Sequence, residues 1–153
     1  GGGVGLRALF TPGHEVDHVC YYLREDRVMF TGDTVLGASS TSVGDLSAYV
    51  KSLELLTTFG HDTVCPAHGP VVPPPRGGGL VKWQLEHRLN REKQVKAALG
   101  KGLSGVSDIT SDIYPSNLKK GLRPSAERNV STHLKKLIDD GIVQEVASAY
   151  SLK

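Results

Sequence analysis

Three residues in this chain could do chemistry together: His14, Asp33 and His68. Each lies in a glycine-containing turn at the end of a short apolar segment, in Thr11-Pro12-Gly13-His14, Thr31-Gly32-Asp33 and Pro66-Ala67-His68-Gly69-Pro70. Open α/β sheets bind their ligands outside such strand ends. Imidazole and carboxylate together suit zinc, and a carboxylate has two oxygens with which to bridge two ions. The spacings leave a second reading open, because most histidines are polar surface or satisfied core residues. The other histidines are His18, His61, His87 and His133. His61 reads as surface, and His87 and His133 as packing or capping residues on helices.

The elements that must hold the three residues follow from periodicity. Residues 6–10, 19–24, 27–31 and 63–65 are β-branched, aromatic or aliphatic runs that read as strands, with Glu25-Asp26 as a hairpin tip. Between the last two, Leu46, Tyr49, Val50, Leu53 and Leu56 share one helical face, which predicts a helix over about 44–58 ending near Gly60. Residues 73–79 (PPPRGGG) read as a loop or linker. A helix is expected at about 80–99. Then come a short helix stopped by Pro115, a helix capped by Ser125 with the stripe Ala126, Val130, His133, Leu134, Leu137 and Ile138, and two short strands within 142–152. The pattern is α/β (α+β), in two parts: residues 1–79, and a linker helix with a winged-helix-like domain over 80–153.

Composition is that of a globular protein, with 39% hydrophobic and 22% charged residues in 153. No apolar run approaches the roughly 20 residues of a membrane helix. Cys20 and Cys65 form no CxxC pair and read as buried free thiols of a reducing compartment. Net charge is +2, unevenly spread: residues 1–81 hold 5 basic and 8 acidic side chains, residues 82–153 hold 13 and 8. The second part thus carries net +5, on which Lys119, Lys120, Arg123, Arg128, Lys135 and Lys136 are candidate nucleic-acid contacts. Tyr114 and Tyr150 are the aromatics near them, too few for recognition by base stacking.

The ordered set of motifs resembles the metallo-β-lactamase superfamily. Thr11 to His18 looks like its TPGHTxxH motif, Thr31-Gly32-Asp33 like its GD motif, and Pro66 to Pro70 like its PGHGP motif. Glu86 to Glu92 resembles the xHRxxRE helix, and Thr132 to Leu137 a winged-helix segment, of the metallo-β-lactamase-like endoribonucleases of mitochondria. The resemblance implies the C-terminal half of an αββα sandwich followed by a winged helix. It implies two zinc ions, with His14 on one, His68 on the other and Asp33 bridging both and positioning a water that attacks the electrophile. His18 would stand behind the ligands or line the pocket, and Asp17 could hydrogen-bond a ligand imidazole. A mitochondrial matrix or cytosolic location is the corresponding expectation.

The pattern also breaks. The family's HxHxDH motif has no counterpart here, so four ligands are absent and neither zinc would have a normal complement. Glu15 stands where the family has Thr, and Ala67 where it has Gly. The chain is therefore expected to be a piece of a longer enzyme, with residues 1–70 loosely packed or dimerising through exposed apolar surface. Three functions follow: an endoribonuclease on single-stranded RNA, a thioester hydrolase of the glyoxalase II or polyketide-thioesterase type, and a non-catalytic winged-helix binding module.

Overall fold

The computed structural model describes residues 4–38 and 41–153, except for the side chain of Lys120. The described residues form two compact units, Gly1–Arg88 and Leu89–Lys153.

In the first unit, β1 (Leu6–Phe10), β2 (Val19–Leu23), β3 (Val28–Gly32) and β4 (Thr63–Pro66) form one sheet in that order. The first two pairings are antiparallel; β3 and β4 are parallel, joined through helix α1 (Leu46–Thr57). A parallel pair needs such a crossover, because its strands must start at the same end. The side-chain period of two sends Leu9, Cys20, Tyr22, Met29 and Val64 to one buried face. Against them α1 sets the stripe expected from its spacing: Leu46, Tyr49, Val50, Leu53 and Leu56 are buried. Asp45 starts the helix, its carboxylate accepting the Ala48 N–H at 3.0 Å. On the opposite face of the sheet Leu6, Phe10, Tyr21 and Phe30 are exposed.

Helix α2 (Gly77–Gly100) corrects the linker reading of residues 73–79, because Gly77, Gly78 and Gly79 are its first turn. The glycines permit a close approach. A Cβ on Gly77 would overlap the backbone carbonyls of Asp62 and Val72, and one on Gly78 would lie 3.2 Å from the His61 carbonyl. This overlay also buries His61, expected at the surface, whose Nδ1–H donates to the Phe59 carbonyl at 2.9 Å. Cys20 is wholly buried and burial pushes its thiol up to about 11, whereas Cys65 is only partly covered.

In the second unit, α3 (Val106–Ile113), a 3-10 turn at Lys120–Leu122, α4 (Arg123–Asp139) and the hairpin β5 (Val143–Val146) and β6 (Ala149–Leu152) give helix, helix and wing. The core is Val95, Ala98, Leu99, Ile109, Val130, Leu134, Leu137 and Val143. Ser125 does not cap α4: the helix begins two residues earlier with Pro124 in its first turn, and no side chain caps it. Proline is tolerated there because its missing N–H would have had no helical partner. Arg123 instead ties this end to α3, donating to the Ser107 carbonyl and to the Ser107 and Ser111 hydroxyls. Among the described residues no helix is long and apolar enough to cross a membrane.

The two ends of the glycine turn respond differently to a methyl group. Gly77→Ala is expected to destabilise the first unit by about 1–3 kcal/mol through overpacking. Gly79→Ala, whose Cβ would meet nothing within 4 Å, is expected to stabilise it by about 0.5–1 kcal/mol. Urea unfolding followed by fluorescence of the single tryptophan, Trp83, checks both signs.

Candidate metal centre

The three turns named by the sequence meet at one end of the sheet, each fixed by backbone before its side chain is considered. β1 runs into Pro12-Gly13-His14, and the Gly13 carbonyl accepts the Gly44 and Asp45 N–H groups at 2.8 and 3.0 Å. This pins the His14 turn to the start of α1, as does the Ser52 hydroxyl donating to the Pro12 carbonyl at 2.7 Å. β3 ends in a tight turn in which the Thr34 N–H reaches the Thr31 carbonyl at 3.0 Å, leaving Asp33 at its tip. The Gly32 carbonyl accepts the Ala67 N–H at 2.8 Å, so the β4 exit carrying His68 is stitched to the Asp33 turn.

Asp33 lies between the two histidines. His68 Nε2 is 3.4 Å from its Oδ1, and His14 Nε2 is 3.9 Å from its Oδ2. The side chains are 20% exposed for His14, 34% for Asp33 and 78% for His68, so His14 is held firmly and His68 lightly. His14 Nδ1 lies 2.8 Å from the Ser42 carbonyl, and the Thr41 hydroxyl is 3.1 Å from the same nitrogen. A carbonyl only accepts, so Nδ1 carries a proton, and Nε2 is the ring nitrogen turned toward Asp33. The Ser42 carbonyl does for His14 what Asp17 was expected to do. Asp17 is exposed.

His18 sits beneath this arrangement. Its Nε2 accepts the backbone N–H of Asp33 at 3.2 Å, so its proton is on Nδ1, within 3.0 Å of the Thr11 hydroxyl and 3.1 Å of the Thr34 hydroxyl. Burial first, and His14 second, hold its pKa below the ordinary histidine value, favouring the neutral ring that can accept. Gly32 has φ +52, and a Cβ there would stand 2.6 Å from His18 Nε2. Thr11, Thr34, Thr41 and Ser42 were not singled out from sequence. Thr11 lies within the first motif and Thr34 directly follows the second, but Thr41 and Ser42 carry no local signal.

The donor chemistry fits zinc. Two atoms each about 2.0–2.1 Å from one tetrahedral zinc lie about 3.3 Å apart, which is close to the His68–Asp33 separation. Ligand number falls short, since each histidine pairs with its own carboxylate oxygen. Among the described residues no three His, Cys, Asp or Glu side chains form a group that could hold an ion unaided.

In the second unit the basic candidates are largely engaged. Lys136 is 2.9 Å from Glu92 and 2.6 Å from Asp140, Lys135 is 2.7 Å from Asp139, and Arg123 is 2.9 Å from Glu127. Arg128 donates to the Ser125 hydroxyl at 3.1 Å, and Lys119 is exposed. The Lys120 side chain lies outside the described residues. His133 is buried, and exposed His87 stacks on Trp83 with centroids 5.4 Å apart.

Residues 1–68 match the model of the metallo-β-lactamase superfamily, and residues 106–151 that of the β-lactamase associated winged helix domain. The chain is 34% identical over 143 residues to a Caenorhabditis elegans beta-lactamase-like protein 2 homolog, covering 93% of this chain and 48% of that protein. It is 38% identical over 134 residues to an Aspergillus chevalieri atrochrysone carboxyl ACP thioesterase, covering 80% and 43%. The crystal structure of a beta-lactamase domain protein from Burkholderia ambifaria shares the fold, with a TM-score of 0.79 at 22% identity, covering 99% of this chain and 49% of that one. The chain thus spans about half the length of the curated relatives it matches.

Substituting Gly32→Ala adds both a left-handed strain and a clash with His18, so a loss of about 2–4 kcal/mol is expected in urea unfolding. A loss below 0.5 kcal/mol would show that the turn is not held against the imidazole as described. With this geometry and these matches together, the chain belongs to the metallo-β-lactamase superfamily, as a superfamily domain followed by the β-lactamase-associated winged helix.

Proposed function

We propose that the protein carrying this chain is a zinc-dependent hydrolase whose ligands include His14, Asp33 and His68, and that its substrate is a thioester. The observation that carries the reading is Nε2 of His14 turned toward Asp33, with the other ring nitrogen held by the Ser42 carbonyl. In metalloenzymes a ligand histidine is oriented by such a partner on its second nitrogen. His68 and Asp33 supply the second donor pair.

Zinc bound there would lower the pKa of a water toward about 7 and polarise the electrophile. The residues of this chain have separate tasks. Asp33 offers an oxygen to each side. His18, through the Asp33 N–H, keeps the carboxylate at the tip of its turn. Thr41 and Ser42 keep the His14 lone pair directed inward. The remaining ligands would come from parts of the protein with no counterpart in this chain.

The thioester reading is supported by relatives named as atrochrysone carboxyl ACP thioesterases. A second reading, endoribonuclease action on single-stranded RNA, is supported by the net +5 of residues 82–153. Of the candidate contacts, Arg123, Lys135 and Lys136 are paired with carboxylates, which leaves less charge for phosphates.

Elemental analysis of the longer protein that carries this chain is expected to find zinc, lowered in His14→Ala and in Asp33→Ala. Zinc retained in both variants would sink the ligand assignment. Salt separates the substrates. Raising it from about 50 to 200 mM should leave thioester cleavage nearly unchanged but reduce RNA cleavage roughly twentyfold for three phosphate contacts on a single strand.

A further inference from the structure

We infer that Arg88, on α2, is a positioning residue for His14, acting through Tyr49 and the backbone of Thr41. The inference rests on the reading of His14 as a metal ligand. It concerns how that ligand is held, which neither the motif matches nor the names of relatives address.

Arg88 is a cation that the fold has buried, with 6% of its surface exposed. A buried guanidinium is costly unless its charge and its N–H groups are used. Two of its uses lie next to the candidate centre. Its Nη2 donates to the Thr41 carbonyl at 3.2 Å, and its Cζ lies 5.3 Å from the centroid of the Tyr49 ring. A cation over an aromatic face at that distance is attracted by the ring quadrupole, more so when both are out of water.

Both contacts lead to the ligand turns. Thr41 places its hydroxyl 3.1 Å from His14 Nδ1, and the next carbonyl, of Ser42, accepts from the same nitrogen. Fixing the Thr41 carbonyl therefore fixes the peptide that presents the acceptor to His14. Tyr49 is wholly buried, and its hydroxyl donates to the Thr34 carbonyl at 2.6 Å, one residue beyond Asp33. Gln84, one helical turn before Arg88, donates to that hydroxyl at 3.3 Å. One face of α2 thus reaches the His14 partner through Arg88 and the Asp33 turn through Tyr49. Arg76 donates to the Gly37 carbonyl at 2.6 Å.

Without Arg88 the Thr41–Ser42 peptide would lose its tether, and His14 would lose the acceptor that selects the Nδ1–H tautomer. The fraction of molecules presenting a lone pair on Nε2 would fall, and metal affinity with it. Partners that act one step behind a ligand typically change metal affinity by 10- to 100-fold. Arg88 acts one step further back, so a change of about tenfold is expected.

The test reads the His14 tautomer in the metal-free 153-residue chain by imidazole nitrogen NMR, and cobalt(II) affinity separately by its visible absorption. In the unaltered chain His14 should show a single Nδ1–H tautomer. In Arg88→Ala it should show a mixture, while His18, fixed by the Asp33 N–H, and buried His133 stay unchanged. The cobalt dissociation constant should rise about tenfold. Methylguanidinium added to Arg88→Ala should restore both signals, which a general loosening of the fold would not allow. If Arg88→Ala fails to fold, Arg88→Lys is measured instead. It keeps the cation but has no planar group to lie over Tyr49, so a smaller shift in the same direction is expected. A folded variant with His14 still in one tautomer and unchanged cobalt affinity overturns the inference. If the unaltered chain takes up no cobalt, the tautomer comparison alone decides the role of Arg88.

Discussion

The hydrogen bond from the Asp33 backbone N–H to His18 Nε2 is the constraint on which the candidate centre depends. It requires a neutral imidazole, and burial favours that form. It requires a residue without Cβ at position 32, and glycine is there with φ +52. It also places the His18 proton on Nδ1, where the hydroxyls of Thr11 and Thr34 meet it. One ring therefore joins the end of β1 to the end of β3, and Asp33 stands at that junction.

Around this point the unit uses each physical term where it is strongest. Hydrophobic burial between α1 and the sheet provides the bulk of the attraction, through side chains such as Tyr49, Met29, Leu53 and Leu56 that are fully out of water. Hydrogen bonds decide direction. Those from Ser52, Tyr49, Gln84 and Arg88 run inside a dry interior, where an unmade bond is expensive and alternatives are few. By contrast, pairs such as Lys135–Asp139 and Lys82–Glu86 are solvated and contribute little to stability. The second unit has its own apolar core, with Arg91 over the Tyr114 ring at 4.1 Å and Asn129 donating to the Tyr114 hydroxyl.

Much of this was legible in the sequence because the signals are local. The apolar stripe of α1, the alternation in β2 and β3, and the turns around His14, Asp33 and His68 all follow from periods of 3.6 or two and from glycine and proline. The errors arose where a distant segment overrides local chemistry. Gly77-Gly78-Gly79 looks like a flexible connection, but it is the first turn of α2, packed where Asp62 and Val72 leave no room for a Cβ on Gly77. His61 lies in a polar stretch, yet the same turn of α2 covers it. Ser125 has the side chain of a cap, but α4 begins at Arg123, with Pro124 in its first turn.

The order of amino acids alone specifies which residue types stand at the strand ends, and hence the donor set of imidazole and carboxylate. It also determined the family through the order of three short motifs, since order and spacing survive without coordinates. How those donors are aimed depends on contacts between distant segments of the fold. The acceptor for His14 comes from Ser42, 28 positions away, and the residue tethering the adjacent peptide is Arg88, 47 positions from Thr41. No periodicity connects such partners. They meet because burying the faces of α1 and α2 leaves one place for each side chain, and buried polar groups must find partners within it.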